Sequence, residues 1–279
     1  MPPDLPPLGI VAGGGRLPEI LVSGCARRGR PVLVVQLDGQ GDPARYHPHA
    51  TVMVVRPGRA GRIIKCFKDA GVTELVFAGS VLRPTLSQVM PDWWAAKFLA
   101  RTGAYSRGDD GLLRAIVRAL EVEEGFSVTG PDQLMPDIVA PAGRIAGPAP
   151  DSALLKMAQA AVAAARELGR RDLGQAVVFG PDGLIAEEGK SGTEGLVNGA
   201  ASGAGGGILV KVMKPGQERR VDLPAIGPDT VDQVVRAGLN GVAVEAGNSL
   251  ILDWEAVRDK ADQAGISVFG LETAGVSTP

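Results

Sequence analysis

Cysteine is nearly absent from this chain. Cys25 and Cys66 are the only two in 279 residues, and both sit in apolar patterns of helical spacing, so they read as reduced core thiols of a cytosolic protein rather than a disulfide framework. Histidine is as scarce: His47 and His49 flank Pro48 in a loop, and two imidazoles with no third His or Cys near them in sequence do not make a zinc centre. Charge of one sign is missing too, since 29 Lys and Arg face 31 Asp and Glu. Without a global basic field, nucleic acid is excluded as a partner and any anion must be met locally. No apolar run is long enough to cross a bilayer, and the opening MPPDLPPLGIV lacks the basic and apolar regions of a secretory signal. The expected location is the cytoplasm, with at most peripheral contact at a membrane surface.

What the chain has in quantity is glycine and proline, 39 and 21 residues, which means many tight turns between short regular elements. Leu8 to Ala12 is an apolar strand that breaks into Gly13-Gly14-Gly15-Arg16, after which Leu17, Ile20, Leu21, Gly24 and Cys25 recur at helical spacing. The near-continuous apolar run PVLVVQL, Pro31 to Leu37, is the kind of strand buried on both faces of a parallel sheet. Thr51 to Val55 and Glu74 to Ala78 repeat the theme, with a helix over 61–70 between them. The alternation predicts an α/β fold whose first half is an open, Rossmann-like parallel sheet.

Gly13, Gly15 and Pro18 stand where a dinucleotide fingerprint has three glycines. Pro18 spoils the match but suits the first turn of a helix, so the turn keeps its capacity to present backbone N–H groups to a phosphate. Asp38, after the second strand, stands at the distance of a ribose-binding acid or is a plain loop residue. Gly79-Ser80-Val81 follows another strand at the sheet edge where open α/β folds bind ligands. Gly13, Gly14, Gly15 and Ser80 are therefore candidate substrate-binding residues, against the alternative of merely tight turns. Pro91-Asp92-Trp93-Trp94 opens a further helix, and Gly108-Asp109-Asp110 another, its aspartates at the start, where the helix dipole favours acidic residues.

Composition shifts in the Pro-rich stretch from Pro131 to Pro150, which places a linker at 133–150 between an N-terminal domain, 1–132, and a mixed α/β domain, 151–279. In the second half a hairpin turning at Gly180-Pro181-Asp182-Gly183 leads into Glu187-Glu188-Gly189-Lys190-Ser191-Gly192-Thr193-Glu194-Gly195. Glycines admit oxyanions to the backbone and carboxylates take a hard divalent cation, although the Gly-Lys-Ser order lacks the upstream glycine of a Walker loop. Lys211 to Asp229 is the second such segment. It gathers Lys211, Lys214, Arg219, Arg220 and Asp222 with the stiff run Leu223-Pro224-Ala225-Ile226-Gly227-Pro228, a combination suited to a metal-bound phosphate or, alternatively, to a solvated loop.

Six blocks in order, IVAGGGRLP, GDDGLLRAI, GRRDLGQAVVF, EEGKSGTEG, KPGQERRVDLPAIGP and AGLNGVAVEAGNSLIL, make nearly the whole chain resemble the LpxI-type UDP-2,3-diacylglucosamine pyrophosphatases. The resemblance implies two α/β domains and Mg²⁺-dependent hydrolysis of UDP-2,3-diacylglucosamine to UMP and lipid X in lipid A synthesis, with attack at the sugar-linked phosphate. A homodimer is compatible with it. Lys190, Gly192, Thr193 and Lys211 would then bind substrate, Glu188 and Asp222 would meet the metal, and Lys211, Lys214 and Asp222 would act at the diphosphate. Two acyl chains need an apolar groove, for which Trp93, Trp94 and Phe98 are the candidates. At Ala225 the resemblance leads one to expect a carboxylate, so this position carries an expectation of slowed turnover.

Two rivals stay open on the sequence. One is a nicotinamide-dependent oxidoreductase on the first half, disfavoured by Pro18 and by the lack of a Tyr/Lys or His/carboxylate pair. The other is a sensing module that binds a nucleotide-sugar lipid without reacting.

Overall fold

The computed structural model describes residues 5–81, 90–103, 108–189, 191–200 and 205–273. They form two compact units. Unit 1 takes residues up to Pro136 together with Glu218–Asp222; unit 2 takes Asp137–Gln217 and the remainder from Leu223.

Unit 1 runs β1 (Leu8–Ala12), α1 (Leu17–Arg27), β2 (Val32–Leu37), β3 (Thr51–Val55), α2 (Ala60–Asp69), β4 (Glu74–Ala78), α3 (Trp93–Thr102), α4 (Asp109–Val122) and β5 (Ser127–Val128), ending in the short α5 (Pro131–Leu134). The five strands are all parallel, in the order β3-β2-β1-β4-β5. Every residue of β2 is buried, as expected of a strand covered on both faces. Leu33, Val35 and Leu75 pack with Ile64 and Phe67 of α2 and Val117 and Leu120 of α4. Val221, from the late segment Glu218–Asp222, packs against the same core. Cys25 and Cys66 are both free thiols, on α1 and α2, and burial pushes the Cys25 thiol up from its ordinary pKa.

Unit 2 continues with β6 (Gly143–Ala146), α6 (Ser152–Arg170), β7 (Ala176–Gly180), β8 (Gly183–Glu187), α7 (Gly192–Ala200), β9 (Ile208–Lys211), β10 (Ala225–Ile226), α8 (Pro228–Arg236), β11 (Gly241–Glu245), β12 (Leu250–Ile251), α9 (Trp254–Ala264) and β13 (Ser267–Leu271). Its six-stranded sheet has the order β6-β13-β11-β9-β7-β8. The central strands β13, β11 and β9 are parallel, while β6, β7 and β8 each run antiparallel to a neighbour. β10 and β12 pair separately. Alternation sorts the side chains: Ile208 and Val210 face the Ala-rich stripe of α6, and Leu209 and Val242 face the cluster that includes Leu196 of α7, Val231 of α8 and Val257 of α9. Ala158, Ala161 and Ala165 are fully buried and let α6 lie close on the sheet.

The Pro-rich stretch 133–150 holds the end of α5, a 3-10 turn over Pro136–Ile138 and β6, which pairs with β13. The glycine-rich segment after Glu188 enters α7 at Gly192. Gly192, at φ +67, supplies the left-handed turn into it.

Candidate active site

In unit 1 the two glycine turns meet. Gly13 N–H donates to the Ala78 carbonyl at 2.8 Å, Gly14 N–H to Ser80 O at 2.7 Å, and Ser80 N–H back to Gly14 O at 3.1 Å, so Gly14 and Ser80 form an antiparallel bridge across the ends of β1 and β4. The glycines are required by that approach. A Cβ on Gly13 would lie 2.2 Å from Ser80 O, and one on Gly79, whose φ is +89, would lie 2.1 Å from Gly14 O. Below the turn Gln36 is buried; its amide donates to Ala12 O and Gly13 O and accepts the Tyr46 hydroxyl at 2.6 Å. Two of the amides expected to meet an anion thus bond within the fold. The structure brings Gly13, Gly14 and Ser80 together, with Gly15 next to them at φ +83 and nothing within 4 Å of a Cβ built on it.

Unit 2 gathers side chains at one sheet edge. Parallel strands β9 and β11 end in Lys211 and Glu245, and antiparallel β7 begins at the same end, beside Gln175. This is the carboxyl edge, where such sheets bind ligands. Lys211 is buried, and its Nζ donates to Thr193 Oγ1 and to the Ala225 carbonyl, each at 3.0 Å. Thr193 Oγ1 donates in turn to Glu188 Oε1 at 2.8 Å, and Glu188 Oε2 accepts the Gln175 N–H at 2.8 Å. The result is a directed chain from an ammonium through a hydroxyl to a carboxylate, with the N-terminal turn of α7 supplying the hydroxyl. Lys214, also buried, donates to Asp172 Oδ1 at 2.9 Å, and its backbone N–H donates to Gln217 Oε1 at 2.9 Å. Buried Glu245 accepts the Met213 N–H at 2.9 Å, and Arg166 lies 3.5 Å from its Oε1. Buried charges are costly unless paired, and here Lys211, Glu188 and Glu245 each meet two partners and Lys214 meets Asp172.

Glu188, Thr193 and Lys211 therefore come together, with Lys214 on the loop after β9. Asp222 belongs instead with unit 1, in a turn where its N–H donates to Glu218 O. Arg220 in that turn pairs with Glu218 at 2.9 Å and Glu121 at 2.6 Å, and Arg219 pairs with Asp132 at 3.0 Å. The hydrogen bond from Arg220 holds the Glu218 carboxyl below the usual carboxylate range. Ala225 contributes backbone, the carbonyl that Lys211 holds. Lys190 lies outside the described residues. Glu245, Gln175, Asp172 and Arg166 were not singled out in the sequence. Glu245 had a legible signal, a charge closing the apolar strand GVAVE at a sheet edge; the others are brought in only by strand order.

Among the described residues no three or more His, Cys, Asp and Glu side chains group into a cation cage. That donor set does not suit an all-protein metal site.

A chain of two α/β units, one with a Rossmann-like parallel sheet and the other with buried lysines and carboxylates at a sheet edge, has the makings of an enzyme that handles phosphorylated ligands. Comparison makes this specific. Residues 7–138 match the family model described as the LpxI N-terminal domain, and residues 141–269 match the LpxI C-terminal domain. The chain is 38% identical over 277 residues, 95% of its own length and 97% of the relative's, to the UDP-2,3-diacylglucosamine pyrophosphatase LpxI of Caulobacter vibrioides. It belongs to the LpxI family.

Proposed function

We propose that this protein is a UDP-2,3-diacylglucosamine diphosphatase: water cleaves the diphosphate, its oxygen ends on the sugar-linked phosphate as lipid X (2,3-diacylglucosamine 1-phosphate), and UMP leaves. Membership of the LpxI family over nearly the whole chain supports the substrate. The observation that carries the chemistry is the buried Lys211–Thr193–Glu188 chain at the carboxyl edge of unit 2. A fixed ammonium in a low-dielectric edge stabilises charge that develops on a diphosphate in the transition state. Thr193 and Glu188 orient that ammonium, and Lys214, tied to Asp172, adds a second positive charge on the following loop.

Mg²⁺, when bound, would neutralise phosphoryl oxygens and acidify a water. Glu188 and Asp222 are the separate candidates for the carboxylate that meets it. The Ala225 side chain cannot serve as a base, and on this reading the alanine slows turnover. Ala225→Asp raising UMP release about tenfold or more would uphold that; an unchanged rate would remove it. No helix among the described residues is long and apolar enough to cross a membrane, and the reading places the enzyme in the cytoplasm at the inner membrane surface, where its lipid substrate is reached. Light scattering of the eluted protein would decide whether it is a homodimer.

The test is incubation with UDP-2,3-diacylglucosamine and Mg²⁺, with chelator as control. UMP and lipid X are the expected products. Saturable binding without UMP would instead favour a sensing module, and tight saturable NADH binding would favour the oxidoreductase.

A further inference from the structure

The two buried lysines of unit 2 are held from one short turn. α6 ends at Arg170, and the chain reverses through Asp172 to Gln175, just before β7. Arg171 anchors the turn, its guanidinium lying 2.8 Å from both carboxylate oxygens of Glu187. Gln175 closes it, its carbonyl accepting the Val212 N–H at 3.0 Å. On one side the Asp172 carboxylate meets the Lys214 ammonium at 2.9 Å. On the other the Gln175 N–H holds Glu188, which orients Thr193 and through it Lys211. Two glycines make room for these contacts. A Cβ on Gly169 would lie 3.1 Å from Lys214 Cγ, and one on Gly174 would lie 2.8 Å from Glu188 Cβ and 2.9 Å from Glu188 O. Gln217 joins the two sides: its Oε1 accepts the Lys214 N–H at 2.9 Å, and its amide donates to Gln175 Oε1 at 3.4 Å.

Asp172 occupies this turn at φ +53, a left-handed conformation that glycine takes without strain and most other residues avoid. Turn geometry alone therefore favours glycine here. What aspartate adds is a carboxylate, and it is directed at Lys214, whose side chain is only 10% exposed. A lysine on a loop otherwise has many rotamers to lose. We infer that Asp172 is a positioning residue of the reaction: it fixes the Lys214 ammonium, and the turn in which it sits sets that ammonium against Lys211, so that two positive charges meet a diphosphate at a constant separation. The reaction it serves is the one in the functional reading above, on which the inference rests. Asp172 acts through Lys214.

Asp172→Asn keeps a side chain that tolerates the left-handed conformation, and Asp172→Gly relaxes it; both remove the anion. In each folded variant of the full chain, kcat for UMP release should fall about tenfold to hundredfold while KM changes by less than about threefold. Asp172→Asn should cost nothing further in a Lys214→Met background. A turn role alone leaves Asp172→Gly at the wild-type kcat. That result, or losses from Asp172→Asn and Lys214→Met that multiply in the double variant, would overturn the inference. A second readout needs no turnover. Acetylation by acetic anhydride, followed by mass spectrometry, should modify Lys214 about tenfold faster in both Asp172 variants than in wild type, with the exposed Lys156 of α6 unchanged. Equal Lys214 rates in wild type and both variants would also overturn it. If wild type releases no UMP, the functional reading fails while the acetylation rates still decide whether Asp172 fixes the ammonium.

Discussion

The carboxyl edges of the two sheets solve the same local problem differently. In unit 1 the turns after β1 and β4 close on one another through backbone, Gly14 bridging Ser80. In unit 2 the edge is closed by side chains, Lys211 reaching Thr193 and Ala225 while Glu188 collects Thr193 and Gln175. The first arrangement explains its glycines by packing alone. The second buries charge, which packing does not require and which hydrophobic residues of similar size would commonly match in stability. Glycine pattern thus marks where backbones approach, whereas buried charge at a strand end is what packing alone leaves unexplained.

Five substitutions and one rescue bear on that contrast. Lys211→Met should have the largest effect, lowering kcat/KM for UMP release about 10²- to 10³-fold; a rate within threefold of wild type in folded protein would place the chemistry elsewhere. Gly79→Ala comes next, as a loss of stability of about 2–3 kcal/mol read from urea unfolding, because its Cβ would meet Gly14 O and its φ is +89. Gly15→Ala, with open space around it, should cost only about 1 kcal/mol, and equal losses at the two positions would undo the packing account. Thr193→Val should remove the relay at about 1 kcal/mol, with Thr193→Ser restoring activity. The smallest effect is a pH dependence in unit 1. Glu218 is held below its ordinary pKa by the Arg220 hydrogen bond, so its stabilisation is present above the ordinary carboxylate pKa and disappears as pH falls through the folded value. Glu218→Gln should accordingly be less stable than wild type near neutrality by about 1 kcal/mol or less, given its exposure, and the gap should close in acid. A gap that widens on acidification would reverse the assignment.

Much of the architecture was readable because its determinants are local. The apolar runs of β1 to β4 and the caps Asp92, Asp151 and Asp253 each specify an element within a few residues. Glu188, Thr193 and Lys211 were readable as chemistry by type. Their partners were not, since Gln175 and Glu245 reach the same edge through the order β11-β9-β7, a long-range pairing that no window of sequence contains. Gly192 to Gly195 carried no secondary-structure reading; the buried Leu196 and Val197 hold α7 against the sheet, and tertiary burial outweighs weak propensity. Trp93 and Trp94 looked equivalent, but one helical step separates the exposed ring from the half-buried one.

The five residues Glu218–Asp222 belong to unit 1 although the chain on either side of them belongs to unit 2. During synthesis unit 1 therefore leaves the ribosome unfinished. Its core waits for Val221, and Glu121 and Asp132 wait for Arg220 and Arg219, while most of unit 2's sheet has already been made. At roughly 5–20 residues per second that delay lasts several seconds, so the nascent protein passes through a stage in which its N-terminal half is protected only in part, and a truncation just after α5 would arrest it there.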